Sequence, residues 1–245
     1  AEMMNLGGDE RIYPASMTKI MTALLTIENL PDLNETITVP EDIFEELTAQ
    51  DASVAGFNPY EQPTVRDLLY GVLLPSGADA CETLARAVGG SEEGFVAMMN
   101  QKAEELGLTN THFENCTGLH NDNHYSTCRD IAVLMSECLK SDTFREIVTR
   151  EVYTTEATAS HPEGITLYDT MLHRFTSYEM STTLENGAVI KGGKTGFTDE
   201  AGQCLVSFAE YGGEEYILVT AEAMTDSGSA VDSIADASTV YGRLQ

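Results

Sequence analysis

A serine and a lysine three residues apart are the pair in this chain with the clearest chemical potential. Ser16 and Lys19 begin an apolar stretch, and on a helix positions i and i+3 share a face. A serine hydroxyl is a weak nucleophile until a base removes its proton, and a lysine with a lowered pKa can be that base. The pair alone is a weak motif, because a helix-capping serine and a surface lysine have the same spacing.

Two further motifs make the first more specific. Ser76 lies in the break Pro75-Ser76-Gly77 between two apolar segments, and Lys194-Thr195-Gly196 lies on or beside a predicted strand. The combination of S-x-x-K, a second serine motif and K-T-G is typical of penicillin-binding proteins and class A β-lactamases. Each motif is weak by itself, but their order and local contexts together are specific.

Apolar periodicity predicts the elements that position these motifs. The first helix runs from Ser16 to about Ile27, and residues 29–31 end it. Further helices are predicted over residues 68–74, 79–88, 92–106, 129–139, 144–148 and 231–244. Strands are predicted over residues 37–39, 152–154, 188–190, 203–209 and 216–221, with a hairpin turn at 211–214. Residues 41–63 and 156–187 read as irregular, and the order of elements favours an α+β fold.

Composition narrows the range of partners. The chain has 13 Lys+Arg against 40 Asp+Glu, a formal net charge of -27. No nucleic-acid partner is expected, because phosphate binding needs clustered Lys and Arg. No apolar run approaches the roughly 18 residues of a membrane span, so we expect no transmembrane segment in this chain. We also find no basic and apolar leader that would indicate a signal peptide.

Longer stretches carry a family resemblance beyond the motifs. They cover residues 13–22, 67–77, 105–113 and 194–198. These stretches resemble the low-molecular-mass penicillin-binding proteins, and most closely the serine-type D-alanyl-D-alanine carboxypeptidases. The resemblance implies a β-lactamase/transpeptidase-like α+β fold, with an antiparallel sheet flanked by helices and a mostly helical subdomain over about residues 40–160. It implies one catalytic domain over residues 1–245, without the C-terminal β-domain of many relatives.

The resemblance also implies a reaction and a location. Ser16 would attack the peptide carbonyl between two D-alanines and become acylated, while Lys19 takes its proton. Ser76 would pass a proton to the leaving amine, since a hydroxyl both donates and accepts. The substrate would be a peptidoglycan stem peptide ending in D-Ala-D-Ala, and β-lactam antibiotics would inhibit by acylation. No cofactor or metal is implied, and the protein would act outside the cytoplasmic membrane, secreted or associated with the cell wall, in peptidoglycan biosynthesis and cell shape.

Substrate binding is implied at the K-T-G motif and at the start of the first helix. Lys194, Thr195 and Gly196 would bind the terminal carboxylate of the substrate. The oxyanion would lie between the backbone N–H groups of Ser16 and Phe197.

Three features depart from the family pattern. Ala78 stands where the family usually has an asparagine, two residues after the second serine. Only residues 1–15 precede the catalytic serine, where relatives have an extended strand, and residues 224–235 lack the arginine that often assists the carboxylate site. Because of Ala78, one alternative function remains open: a catalytically weak penicillin-binding or sensor module. A β-lactamase is the other alternative, although residues 156–187 show no clear E-x-x-x-N for its deacylating water.

Other polar groups have simpler interpretations. His120 and His124 flank a loop, and we expect both to be solvated, because no third ligand has zinc spacing. Asp79 is expected to cap the helix that it precedes. The five cysteines are expected to be free buried thiols, with a bridge between Cys116 and Cys128 as the alternative.

Overall fold

The apolar segment that follows Ser16 forms the helix around which the others pack. In the computed structural model, which describes residues 2–223 and 231–245, a 3-10 turn over Ala15–Thr18 continues into α1 (Lys19–Asn29). The remaining helices are α2 (Ile43–Ala49), α3 (Val65–Leu73), α4 (Ala78–Gly89), α5 (Glu92–Leu106), α6 (Cys128–Cys138), α7 (Asp142–Val148), α8 (Leu172–Ser177) and α9 (Val231–Tyr241). Residues 19 to 26 of α1 are all buried, because α3 to α7 pack around it.

Two antiparallel sheets complete the architecture. The strands are β1 (Val152–Thr154), β2 (Thr166–Tyr168), β3 (Val189–Thr198), β4 (Gly202–Tyr211) and β5 (Glu214–Ala223). The larger sheet has the order β3-β4-β5, and β1 pairs with β2 in a separate small sheet. Gly212 and Gly213 turn β4 into β5 with φ of 62° and 86°, a left-handed conformation that glycine adopts without strain.

The main sheet separates two layers of helices. Along β4, Val206 and Phe208 enter the core that contains α1, whereas Leu205 and Ala209 enter a second core with α8 and α9. This alternation follows from the two-residue period of a strand. The helix-sheet-helix arrangement places one face of the sheet against the helix that follows the Ser16 turn.

Most predicted elements are confirmed, and their differences from the structure have local causes. Residues 37–39 do not form the predicted strand. They lie beside residues 60–63 and share backbone hydrogen bonds with them, and the adjacent Thr36 and Thr64 form an isolated bridge. The ladder goes no further because Pro40 and Pro63 have no N–H to donate. The seven-residue α2 was not predicted, since only Ile43 and Leu47 mark its buried face among acidic residues. Likewise β2 and α8 lie in a segment without clear periodicity.

The cysteines form no bridge. All five are free thiols, so the alternative of a Cys116–Cys128 disulfide is wrong. Burial raises the pKa of Cys116, and Cys81 is also fully buried. Among the residues that the structure describes, no helix has the length and apolar character needed to cross a membrane.

Candidate active site

Ser16 and Lys19 meet as the spacing of the first motif predicts. Lys19 Nζ lies 2.9 Å from Ser16 Oγ and donates to Thr117 O at 2.6 Å. The loop that carries Thr117 packs tightly on the serine turn, since a Cβ on Gly118 would lie 1.9 Å from Ala15 O. Only glycine fits at position 118. The turn, the helix and this loop therefore fix the hydroxyl and the amine together.

Burial changes the acid–base behaviour of Lys19. The side chain is 3% exposed, and burial lowers its pKa because the charged form loses its hydration. Cys81, Cys116 and Asp79 act in the opposite direction through their negative forms. A lysine with a lowered pKa can be neutral for part of the time, as proton transfer from Ser16 requires.

Lys194 is a second buried cation on the facing strand. It is 1% exposed, and burial lowers its pKa, with the charge of Lys19 acting in the same direction. The carboxylate of Asp169 opposes this shift. Because the charge of Lys19 lowers the pKa of Lys194, the pair favours a state in which only one of the two ammonium groups is charged.

Strand β3 brings the K-T-G motif against the serine turn. Lys194 lies opposite Val206, and residues directly opposite each other in an antiparallel pair share a face. Because Val206 belongs to the core that contains α1, Lys194 faces the first helix, whereas Thr195 is on the other face. Strand β3 is an edge strand of the sheet, so both side chains can reach a ligand bound along that edge. A Cβ on Gly196 would lie 3.0 Å from Ser16 N, so glycine permits the close approach of strand and turn.

The next residue of β3, Phe197, is 53% exposed at the rim of the site. Its backbone follows directly after Gly196, which packs against the serine turn. The backbone N–H groups of Ser16 and Phe197 therefore come from two segments in contact. This placement is compatible with the predicted oxyanion site.

Ser76 occupies the turn between α3 and α4 in a strained conformation. Its φ is 67°, which is uncommon for a residue other than glycine. The side chain is buried, and Oγ has no hydrogen-bond partner among the described residues. The hydroxyl is thus held in place by the backbone rather than by a bond to Lys19. The start of α4 lies near Lys19, since Asp79 and Cys81 both interact electrostatically with that lysine, so the turn with Ser76 is close to it as well.

Asp79 does not cap α4, and that prediction is wrong. The N-cap residue is Gly77, without a side-chain hydrogen bond. The Asp79 carboxylate instead accepts N–H bonds from Ala55 (2.7 Å), Gly56 (3.0 Å) and Phe57 (3.1 Å). Burial raises its pKa while these bonds lower it. Asp79 therefore ties the 55–57 loop to the turn that holds Ser76.

Replacing Asp79 with alanine is expected to destabilise the fold strongly. The N–H groups of buried Ala55, Phe57 and Ala80 would lose an acceptor, at about 1–3 kcal/mol each, so we expect a loss of at least about 3 kcal/mol. Urea denaturation monitored by circular dichroism measures it. Asp32→Ala is the matched control, because exposed Asp32 accepts a single N–H from Asn34 at 3.0 Å. Equal effects of the two substitutions would show that the Asp79 contacts contribute little.

The two loop histidines differ from each other. His124 is 2% exposed, so the prediction of a solvated side chain is wrong for it. Its Nδ1 accepts from Glu114 N at 3.0 Å, which leaves the proton on Nε2 to be donated to Thr18 Oγ1 at 2.7 Å. Burial lowers the pKa of His124 to about 3, so it stays neutral. His120 is exposed, as predicted, and its ring lies edge-on to that of Tyr13, with centroids 4.8 Å apart.

One group of side chains among the described residues has ligand-like spacing. Potential ligand atoms of Glu82, Glu92 and Cys116 lie within 4.8 Å of one another. Their contacts are internal: Cys116 Sγ donates to Glu82 Oε1 at 3.5 Å, and Arg86 Nε lies 3.7 Å from Glu82 Oε2. Burial raises the pKa of Glu82 to about 8, so its acid form can donate to Glu92. The group joins α4 and α5 to the loop behind Lys19.

Residues 3–225 match the Peptidase_S11 family, described as D-alanyl-D-alanine carboxypeptidase. The chain belongs to this family.

Individual members of the D-alanyl-D-alanine carboxypeptidase family are similar to this chain over most of its length. DacF of Bacillus subtilis is 35% identical over 224 residues, which cover 91% of this chain and 54% of DacF. The D-alanyl-D-alanine carboxypeptidase of Streptomyces sp. (strain K15) is 36% identical over 217 residues, covering 85% of this chain and 72% of that enzyme. The chain thus spans about half the length of DacF and most of the Streptomyces enzyme.

Solved structures confirm the predicted fold. The Streptomyces K15 DD-transpeptidase is 32% identical with a TM-score of 0.82, covering 98% of this chain and 90% of that one. Penicillin binding protein 5 from Haemophilus influenzae is 27% identical with a TM-score of 0.79, covering 96% of this chain and 65% of that one. The family resemblance and the α+β, β-lactamase/transpeptidase-like fold are both confirmed.

Proposed function

We propose that this family member is a serine D,D-carboxypeptidase that removes the terminal D-alanine from peptidoglycan stem peptides. The observation that carries the proposal is the 2.9 Å contact between Ser16 Oγ and buried Lys19 Nζ. Family membership supports the same reaction. Of the alternatives, neither a β-lactamase nor a sensor module has comparable support.

In the acylation step, Ser16 Oγ attacks the carbonyl carbon of the penultimate D-alanine. Neutral Lys19 takes the hydroxyl proton as the new ester bond forms, over the short distance that the structure gives. The backbone N–H groups of Ser16 and Phe197 bind the oxyanion. Donors that are already placed for the negative charge stabilise this intermediate strongly. The site needs no metal for this chemistry.

The leaving group and the substrate carboxylate use the other two motifs. As the C–N bond breaks, Ser76 gives its hydroxyl proton to the nitrogen of the leaving D-alanine and takes back the proton that Lys19 removed from Ser16. Both Lys19 and Ser76 thereby return to their starting forms. Lys194 and Thr195 bind the terminal carboxylate, and Gly196 lets β3 lie close enough to the serine turn. Water then hydrolyses the Ser16 ester and releases the shortened peptide.

The proposed reaction implies a place and partners. A stem peptide that ends in D-Ala-D-Ala is found in the cell wall, so we propose extracytoplasmic action, with a role in cell shape. β-Lactam antibiotics would acylate Ser16 in place of the substrate. The domain assignment, a single catalytic unit with a helical part over about residues 40–160, belongs to the same proposal.

Measuring the release of D-alanine from an N-acylated L-Lys-D-Ala-D-Ala peptide tests the function. The matched control is the same peptide ending in L-alanine, which the wild-type protein should leave intact. Release from the D-Ala-D-Ala peptide alone is expected. Cleavage of neither peptide, or of both at equal rates, would contradict the proposal.

Ala78 gives one residue-level reason to expect slow turnover. It is buried at the start of α4, and its N–H donates to Ser53 O at 2.7 Å. A methyl group makes none of the polar contacts of the amide that the family usually has there. In enzymes where one positioned hydrogen-bond donor of the active site has been removed, kcat falls by about 10²–10³.

Ala78→Asn is therefore expected to raise the rate of D-alanine release by at least about tenfold, a conservative fraction of that range. Ala78→Leu is the matched control, because it adds similar bulk without an amide. Steady-state kinetics with the D-Ala-D-Ala peptide measure both variants. If Ala78→Asn is no faster than wild type while folded, the absent amide does not limit this protein.

A further inference from the structure

A second threonine lies in direct contact with the K-T-G threonine. Thr170 Oγ1 and Thr195 Oγ1 are 2.6 Å apart, a short hydroxyl–hydroxyl hydrogen bond. Neither hydroxyl has another hydrogen-bond partner among the described residues. Thr195 is buried, whereas Thr170 is partly exposed. Nothing in the motif pattern pointed to Thr170.

The backbone of Thr170 is fixed from both sides. Its N–H donates to Leu74 O at 3.1 Å, directly ahead of the turn that holds Ser76. On its other flank, Asp169 Oδ1 accepts from Met171 N at 2.9 Å and from Leu172 N at 2.6 Å. The Thr170 side chain therefore contacts Thr195 from a backbone that hydrogen bonds hold in place.

The two hydroxyls have two protons, and one of these is used between them. If Thr170 donates to Thr195 Oγ1, the Thr195 proton is free to be donated elsewhere. A carboxylate only accepts, so a bound substrate carboxylate selects this arrangement. A hydroxyl that accepts one hydrogen bond is also a better donor in the next, because bonds in a chain polarise one another.

We infer that Thr170 is a positioning residue that orients the Thr195 hydroxyl toward the terminal carboxylate of the substrate. The inference rests on the proposed function, which places that carboxylate at Lys194 and Thr195. The Thr195 hydroxyl is a neutral donor. This matters because Lys194 is a buried lysine, and the nearby charge of Lys19 disfavours its charged form. An oriented hydroxyl adds carboxylate recognition that does not depend on the charge of Lys194.

The test compares a peptide that has the terminal carboxylate with one that lacks it. The probes are N-acylated L-Lys-D-Ala-D-Ala and its C-terminal amide, assayed with the full chain. Thr170→Val removes the hydroxyl with little change of shape, and Thr170→Ser restores it. We expect Thr170→Val to raise KM for the acid about tenfold, in line with the weakening of one hydrogen bond to a charged group. For Thr170→Val, kcat for the acid and kcat/KM for the amide should both stay within about twofold of the wild-type values, a change much smaller than the tenfold rise in KM.

Two controls separate orientation from support of the fold. Thr170→Ser should restore the KM for the acid peptide, and Thr154→Val should leave it unchanged. The latter is matched because Thr154 and Thr166 form an exposed hydroxyl pair at 3.2 Å away from the K-T-G motif. Equal losses with acid and amide in Thr170→Val, or an unchanged preference for the acid, would overturn the inference.

Failure of the proposed function would look different. If the wild-type protein cleaves neither peptide, the carboxypeptidase proposal fails. The role of Thr170 is then read from the rates of acylation by benzylpenicillin and by its methyl ester. Thr170→Val should slow acylation by the acid alone, and an equal effect on acid and ester would overturn the inference.

Discussion

Ser16→Ala is expected to abolish both D-alanine release and covalent labelling by penicillin. The variant lacks the oxygen that forms the ester, and loss of a serine nucleophile lowers kcat by about 10⁴–10⁶ in enzymes of this kind. The fold should be retained, because Ser16 is only partly buried and, within the described part of the chain, its hydroxyl forms a hydrogen bond with Lys19 alone. Peptide kinetics and intact-mass spectrometry with benzylpenicillin measure the two losses.

The matched control for this substitution is Ser181→Ala. Ser181 is exposed, and its hydroxyl donates to Thr183 O at 2.8 Å, so its loss should leave both activities unchanged. Penicillin labelling that survives in Ser16→Ala would show that another residue is the nucleophile. A loss of labelling in the control as well would point to a general effect on the protein.

Lys19→Met is expected to lower the acylation rate by about 10²–10⁴, the usual contribution of a general base. Methionine matches the length of the lysine and suits a buried position, so the variant should fold. Lys191→Met is the matched control on β3, since Lys191 Nζ forms a partly exposed ion pair with Glu210 Oε2 at 3.2 Å. Stopped-flow acylation by benzylpenicillin measures both variants.

The pH dependence of acylation tests the same role with a defined sign. Burial lowers the pKa of Lys19, and the reaction uses its neutral form. The wild-type rate should therefore fall as the pH decreases through this lowered pKa, and rise above it. In Lys19→Met the residual rate should lose this acid limb. An acid limb that persists unchanged in Lys19→Met would assign the titration to another group.

Local sequence signals predicted the parts of the site that lie on single elements. The three-residue spacing of Ser16 and Lys19 requires only one helical turn to bring the two groups together. The break at residues 75–77 follows from proline and glycine, and the turn at residues 211–214 follows from Gly212 and Gly213. These features depend on neighbours in the chain, so the sequence suffices to predict them.

Features that depend on contacts between distant segments were not predicted. His124 is buried because its loop folds onto Thr18, more than a hundred residues earlier. Asp79 accepts N–H groups from a loop that precedes it by over twenty residues, in place of capping its own helix. Thr170 lies in a segment without periodicity and becomes relevant only through its contact with Thr195. Residue type alone does not distinguish these three from ordinary loop residues.

The most direct test of the assembled Ser16–Lys19 site is intact-mass spectrometry of the wild-type protein mixed with benzylpenicillin, followed over time. The expected result is a persistent adduct of one equivalent, which peptide mapping locates to the segment that contains Ser16. Rapid formation and loss of the adduct would indicate a β-lactamase instead. The absence of any adduct, or its location on another segment, would contradict the assignment of Ser16 as the nucleophile and Lys19 as its base.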